Sequence, residues 1–582
     1  MYDWLPGAPG SRSRVLAGCA VPALVLGALA ARGGWYVDDL DFLVHGRRGF
    51  GINELLTPVN DHIVPGLRFM YALLALPDGP NHLFSVVVRV GLWFVAITLM
   101  AGLVRRLVPG DWPMWVAIVL YGFSAVVMPS FMSLSSAMNT LPAHVLGLVV
   151  IHATLDWFEG AGVTRLLAVV VALVASMSFW EKSGLILLTT IAVVVVAQPA
   201  PASARRWVGW AAGVALAVLS FGAAYMMLGT SHPHWPGTRV VLGLVGQGIA
   251  SVLLPALAGG PWTWALSQPP YFGLADPPAL VIVAGALAVV ALLTVAARRA
   301  PRVLWLWATV LLFAVVGVPV VALGRYAVFG AVLTRHHHYW TDAAIPLTLA
   351  VVTTVAAAKH TRRSAVAAGV LALVWVLGTI VSYAQFAGPW GRNPSREYLA
   401  SMAADVAAHP TVALWDSRPP LDIMPYISAN RRISSLLGLT GVEGARFEPS
   451  GPMPNMVDND GRIRPARLHK WAVGVTGRDC SVLLRGAGEV RIRLDSPLDS
   501  GEWSAEVGYL ANPSSAIRAE LVDRDGRHVP MLGADEWDAG LLTAYLTASE
   551  PTTATALVLH SDDPGTNLCV GDVTVGLVEV AR

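Results

Sequence analysis

Eleven stretches of the chain are long, apolar and almost free of charge. They lie near 14–31, 83–104, 112–128, 140–157, 164–180, 184–199, 207–228, 278–297, 303–323, 342–358 and 364–386. A bilayer core of ~30 Å takes about 20 apolar residues as a helix. Charged residues are 13% of the 582, against a usual ~25%, and mean hydropathy is +0.58. An ordinary soluble enzyme, a disordered chain and a coiled coil are thereby excluded, and a polytopic α-helical membrane protein with about 11 transmembrane helices is expected. The apolar stretch 240–258 contains Gly246, Gln247, Gly248 and Pro255 and is expected as an interfacial or re-entrant helix.

Charge divides the chain in two. Residues 1–386 carry 22 basic and 13 acidic side chains; residues 387–582 carry 18 and 25. The first part is therefore a sparsely charged membrane domain and the second an acidic soluble one. With the N-terminus cytoplasmic, the inner segments hold Arg12, Arg14, Arg105, Arg106, Arg165, Arg205, Arg206, Arg298, Arg299, Arg302, Lys359, Arg362 and Arg363. That is the positive-inside pattern. The start reads as a signal anchor, because Arg12 and Arg14 precede a full-length span and no small-residue cleavage site is evident. Eleven crossings put the C-terminal part outside a plasma membrane. There a disulfide between Cys480 and Cys569 is permitted, while Cys19 lies in the first span.

From about 478 the pattern becomes short alternating runs, such as Val490 to Leu494, Ala505 to Tyr509 and Val573 to Leu577, separated by turn pairs such as Asp525-Gly526. An antiparallel sandwich of about eight strands is expected over 478–582, with 387–477 a mixed connecting subdomain.

Six of the 13 acids in the membrane part fall in residues 32–81: Asp38, Asp39, Asp41, Glu54, Asp61 and Asp78. Carboxylates crowded at a membrane surface repel one another, so they persist where they bind a cation or handle a proton. A solvated loop or a set of helix caps is the plainer reading. His62 follows in the same loop, and Arg89 sits near the outer end of the second span, where an arginine usually points into a polar cavity. Other outer segments add Glu181 and Lys182, His232, Arg325, and the run Arg335, His336, His337, His338, Tyr339. An interfacial belt is the plain reading of that run. Basic and aromatic groups facing carboxylates suit a lipid-linked phosphate substrate, with Arg and His on the phosphate and a carboxylate as base. If 38–45 is helical, Asp38 and Asp41 share a face. Adjacent Asp38 and Asp39 point apart, one facing the cavity and the other capping the following helix, binding Arg or His, or coordinating a cation.

A long outer loop after the first span that opens with adjacent acids resembles the GT-C superfamily of integral-membrane glycosyltransferases. The layout, with its soluble outer C-terminal domain, is similar to that of the actinobacterial cell-wall arabinofuranosyltransferases. The resemblance implies a GT-C-like catalytic domain over 1–386. It also implies a jelly-roll sandwich similar to carbohydrate-binding modules. The donor would be a polyprenyl-phosphate sugar, arabinofuranose or another pentose or hexose, and the acceptor a cell-envelope polysaccharide or glycolipid. Asp38 or Asp39 would act as base in an inverting transfer. Asp41, Asp61, His62, Arg89, Glu181, Lys182, His232, Arg325, Arg335, His336, His337 and Tyr339 would contact substrate. No nucleic acid enters this reading. A divalent cation at the acidic loop or on the sandwich is the one cofactor left open. The rivals are a lipid-linked glycan polymerase or ligase, a transporter or flippase, and a glycan-binding scaffold.

Overall fold

The computed structural model describes residues 9–36, 38–58, 62–76, 81–197, 203–228, 234–266, 273–358, 361–425, 428, 430–447, 451–476, 480, 482–533 and 536–581. Asp61, Asp78, His232 and Lys359 lie outside them. The chain divides into two compact units, Met1–Asn393 and Pro394–Arg582.

The first unit is helical. Its helices are α1 (Pro9–Ala30), α2 (Asp39–Gly46), α3 (Ile52–Leu56), α4 (Pro65–Leu74), α5 (His82–Leu107), α6 (Asp111–Gly122), α7 (Met128–Met132), α8 (Leu134–Phe158), α9 (Val163–Phe179), α10 (Ile186–Ala197), α11 (Ala204–Leu228), α12 (Thr238–Gly248), α13 (Leu254–Ala256), α14 (Ala279–Arg299), α15 (Leu304–Phe329), α16 (Ala344–Ala357) and α17 (Arg362–Trp390). Among the described residues nine helical stretches are long and apolar enough to cross a membrane. Eight of them fall on expected spans. The ninth is Thr238–Ala256, where α12 runs through a π-helical turn into α13, in the segment expected to be interfacial. Three expected spans are shorter helices: α6 and α10 with 12 residues each, and α9 with 17.

α6 ends at Gly122 and α7 follows at Met128, with Pro129 in its first turn and so no N–H to give the Ala125 carbonyl. His337 Nδ1 takes that carbonyl instead, at 3.0 Å.

The helix ends gather in two groups. At one end Arg106 pairs with Asp156 and Glu159, each at 2.8 Å, and Arg165 reaches Asp156 at 3.3 Å. Arg206 donates to the Ala161 carbonyl beside them at 3.1 Å. The other end carries the acidic loop and the hairpin β1 (Trp264–Leu266) and β2 (Gly273–Ala275). It also carries a 3-10 turn at Glu181–Leu185 and another at His337–Ala343. Both ends of the α12–α13 stretch belong to this second group. His234 N donates to Leu323 O at 3.1 Å just before it, and Ser382 Oγ donates to Gly259 O at 3.0 Å just after it.

The second unit opens with α18 (Ser395–Ala408) and α19 (Ile433–Thr440) and continues as strands. They are β3 (Asn455–Val457), β4 (Ile463–Val473), β5 (Val482–Arg485), β6 (Gly488–Gly501), β7 (Ser504–Ala511), β8 (Ser515–Ala516), β9 (Arg518–Val522), β10 (His528–Leu532), β11 (Glu536–Trp537), β12 (Gly540–Ala548), β13 (Thr552–Ser561) and β14 (Asn567–Val580). Every pairing is antiparallel. The main sheet runs β3-β4-β14-β7-β12-β10-β9-β13-β6, with β5 beside β14. β3 and β4 come from the segment expected to be a connector. Just past β4, Gly474 bridges Leu494 of β6, so two strands far apart along the sheet path meet. Alternate residues fill the core, led by Trp503, Tyr509, Trp537, Val507 and Leu557. Cys480 and Cys569 are joined in a disulfide.

Candidate functional site

After α1 the chain is pinned before it reaches the acids. Asn393 Nδ2 donates to the Trp35 carbonyl at 2.7 Å, Trp35 packs edge-on against His82, and Tyr36 lies against Trp390. α2 begins at once and packs on α4, with Phe42 stacked on Tyr71 at 4.7 Å. The approach is close enough that a Cβ on Gly46 would fall 2.5 Å from the Tyr71 carbonyl.

A helix here separates the two adjacent acids. Asp39 is fully buried and spends both oxygens on backbone N–H groups. Oδ2 accepts from Tyr36 at 2.8 Å and Leu134 at 3.3 Å, and Oδ1 accepts from Ser135 at 2.7 Å. Leu134 and Ser135 open α8, so Asp39 caps a helix almost a hundred residues away and meets the positive end of its dipole. Burial pushes its carboxyl up to about 6, against the pull of these bonds and of Arg89. Arg89 is also committed. Its guanidinium donates to the carbonyls of Ser85, Phe131 and Met132 and to Ser85 Oγ. These bonds hold the α7–α8 junction beneath Asp39, where a substrate contact was expected.

Asp38, at the N-cap position of α2, is only partly buried and makes no side-chain capping bond. Burial first, then Asp41 and Asp39, push its carboxyl up to about 7, while Arg325 pulls it down. Arg325, near the end of α15, exerts its charge also on His338 and Tyr339, whose rings lie 3.7 Å apart. Asp38, Asp41, Arg325, His338 and Tyr339 therefore form one electrostatic cluster.

Lys182 supports it from below. Its ammonium pairs with Asp342 at 3.2 Å, donates to the Tyr339 carbonyl and lies 4.5 Å from the Trp180 ring centre. Glu181 beside it bonds His62 Nδ1 at 3.1 Å, half-exposed. Asp41 pairs with His45 one turn on, at 3.9 Å.

The rest of the basic run has other partners. Arg335 Nε donates to Ala275 O, and its guanidinium meets Asp276, both at 2.7 Å. His336 is buried, bridges Leu274 and packs edge-on to Phe329. His337 holds Ala125 and packs on Trp264. These three belong to the residues expected to contact substrate, and the bonds seen here hold the hairpin and the 337–343 turn. Among the described residues no three His, Cys, Asp or Glu side chains converge as metal ligands.

Two residues absent from the expected set stand out, His144 and Asp342. His144 is an ionisable group within the apolar α8, and Asp342 stands at the edge of the apolar α16, a setting that marks a function inside a membrane protein. Close to Ala125 and Asp342 opens an apolar cavity of about 310 Å³ between α6, α14, α16 and α17. It runs from Ser124, Leu257 and Ala344 toward Trp112 and Val355.

No family model matches the chain, and no curated protein matches it.

Proposed function

We propose that the chain is a polyprenyl-phosphate-sugar-dependent glycosyltransferase of GT-C type. It would move a sugar to a cell-envelope glycan on the outer face of the plasma membrane. The observation that carries this reading is the setting of Asp38, a partly buried carboxyl at the N-cap position of α2 that burial and the neighbouring Asp41 and Asp39 push up to about 7 and on which Arg325 acts in the opposite sense. A general base works best with a pKa close to the working pH. Asp38 takes the proton of the acceptor hydroxyl, whose oxygen attacks the anomeric carbon. The bond from that carbon to the phosphate oxygen breaks with inversion. Arg325 meets the charge that develops on the departing phosphate. The apolar cavity suits the prenyl chain, which gives the enzyme its reason to be embedded.

Topology supports the same face. Of the basic residues expected on the inner side, Arg106, Arg165 and Arg206 gather around Asp156, Glu159 and Ala161, away from Asp38. The α12–α13 stretch starts and finishes at the Asp38 end, so we count it as re-entrant and retain eleven crossings. That parity puts the C-terminal unit outside, where a disulfide is stable. We read that unit as a sandwich that binds glycan without doing chemistry. The meeting of β4 and β6 supports closure. Trp471, 56% exposed at an irregularity in the pairing of β4 with β14 and beside His469, offers a ring on which a sugar can stack.

The test is transfer from a labelled polyprenyl-phosphate sugar by the purified protein in lipid nanodiscs, together with mass identification of its co-purified lipid. A lipid-linked phosphate sugar consumed with inversion supports the reading. Transport of that lipid without cleavage would replace it with a flippase.

A further inference from the structure

Four polar side chains from four separate segments meet in a buried cluster beside the site. Tyr121 of α6 bonds His144 Nδ1 of α8 at 2.7 Å. His144 Nε2 stands 4.0 Å from Asp342 Oδ1, and Asp342 Oδ2 is 3.2 Å from Lys182 Nζ. Lys182 and Asp342 are 6% and 7% exposed. Taking two such charges out of water is costly, and an apolar pair of the same volume commonly holds two elements together at least as well. What an apolar pair cannot do is donate a hydrogen bond. Lys182 uses its ammonium for that: besides Asp342 and the Trp180 face it reaches the Tyr339 carbonyl.

The 337–343 turn shows what this bond controls. His337 fixes one end of the turn to Ala125, and Asp342 fixes the other to Lys182. Trp340 is buried, donates to Thr334 O at 2.9 Å and packs where a Cβ on Gly248 would stand. Only His338 and Tyr339 between these anchors are partly exposed, and they are the pair grouped with Arg325 and Asp38.

We infer that Lys182 and Asp342 are positioning residues, a buried latch that holds the Tyr339 carbonyl and so aims His338 and Tyr339 at the Asp38 site. The effect on turnover rests on the transferase reading; the effect on the surroundings of Asp38 does not. The pair is neutral as a unit, so removing both charges together leaves no stranded ion. Two double variants then separate a positioning role from a merely structural one. In Lys182→Met with Asp342→Leu the latch is apolar and the donor to Tyr339 is gone. In Lys182→Gln with Asp342→Asn the pair is uncharged, but the Gln amide can still donate.

The experiment uses full-length protein in nanodiscs. It measures the unfolding midpoint, kcat and donor KM, and the rate at which an apolar carbodiimide labels Asp38, read by mass spectrometry. Both double variants should unfold within a few degrees of the parent. The Met/Leu variant should lose at least tenfold in kcat with donor KM within about twofold, and label Asp38 several-fold faster. The Gln/Asn variant should recover most of both. Parent-like kcat and labelling in the Met/Leu variant would overturn the latch, as would equal losses in the two variants. If the parent itself transfers no sugar, the transferase reading fails, and the labelling rates alone decide the latch. Should the Met/Leu variant not fold, Lys182→Met with Asp342→Asn, which also lacks the donor to Tyr339 and strands no charge, is set against the Gln/Asn variant and gives the same contrast.

Discussion

Replacing Asp38 by asparagine keeps its shape and removes its proton chemistry. The carboxyl is pushed from an ordinary 3.8 to about 7 by burial and by two neighbouring acids. At about 1.4 kcal/mol per tenfold, the fold disfavours the charged form by at most roughly 4 kcal/mol. The sign follows from linkage. The folded protein holds this proton more tightly than the unfolded chain does. The associated stability is fully present below the unfolded value near 3.8 and is lost as pH climbs through 7. An amide does not titrate, so Asp38→Asn escapes that loss. At pH 8 the variant should unfold at the parent temperature or above it. Its sugar transfer should fall by ~10²–10⁴, the usual cost of a missing base. The parent's kcat should rise with pH through an acid limb near 7. Labelled-donor turnover and thermal unfolding on the same samples give both halves. Near-normal turnover, or an acid limb that survives the substitution, would refute the assignment of the base.

Asp39→Asn should do the reverse. Its two oxygens serve three backbone N–H groups, so an NH2 in place of either oxygen strands at least one of them. The variant should lose ~1–3 kcal/mol of stability, seen as a lower unfolding midpoint, with activity falling only as folded protein falls. Arg325→Gln removes the one charge that pulls the Asp38 carboxyl down, so the acid limb in kcat should move above 7, and an unmoved limb would detach Arg325 from the site. Replacing Cys480 and Cys569 by serine opens a link of 89 residues, worth ~4–5 kcal/mol in the chain-entropy account, and should lower the unfolding midpoint of the C-terminal unit without touching the pH profile of transfer.

Periodicity and charge made the apolar helical unit, the strand-rich tail and the acidic loop after α1 readable, because each is a local property of the chain. Over 38–45 the sequence allows a helix or an extended segment; the helix found is Asp39–Gly46, and on either reading Asp38 and Asp39 diverge. Which acid would be buried was not readable. That depended on the N-terminus of α8 arriving beside Asp39, a long-range contact that no local pattern encodes. The partners of the Arg335 to His337 run were not legible for a related reason: Arg335 meets Asp276, His336 bridges Leu274 and His337 holds Ala125, all distant in sequence. Composition could not tell a residue that binds substrate from one that holds the turn. The isolated acid at 342 carried more information than the crowded run before it. A lone carboxyl at the edge of an apolar helix must find a cation, and the only lysine among the described residues of the helical unit is the one it pairs with. In a membrane unit this poor in charge, a solitary ionisable group therefore constrains the tertiary fold more tightly than a cluster does. A cluster can satisfy itself locally, whereas a solitary group has to reach across the structure.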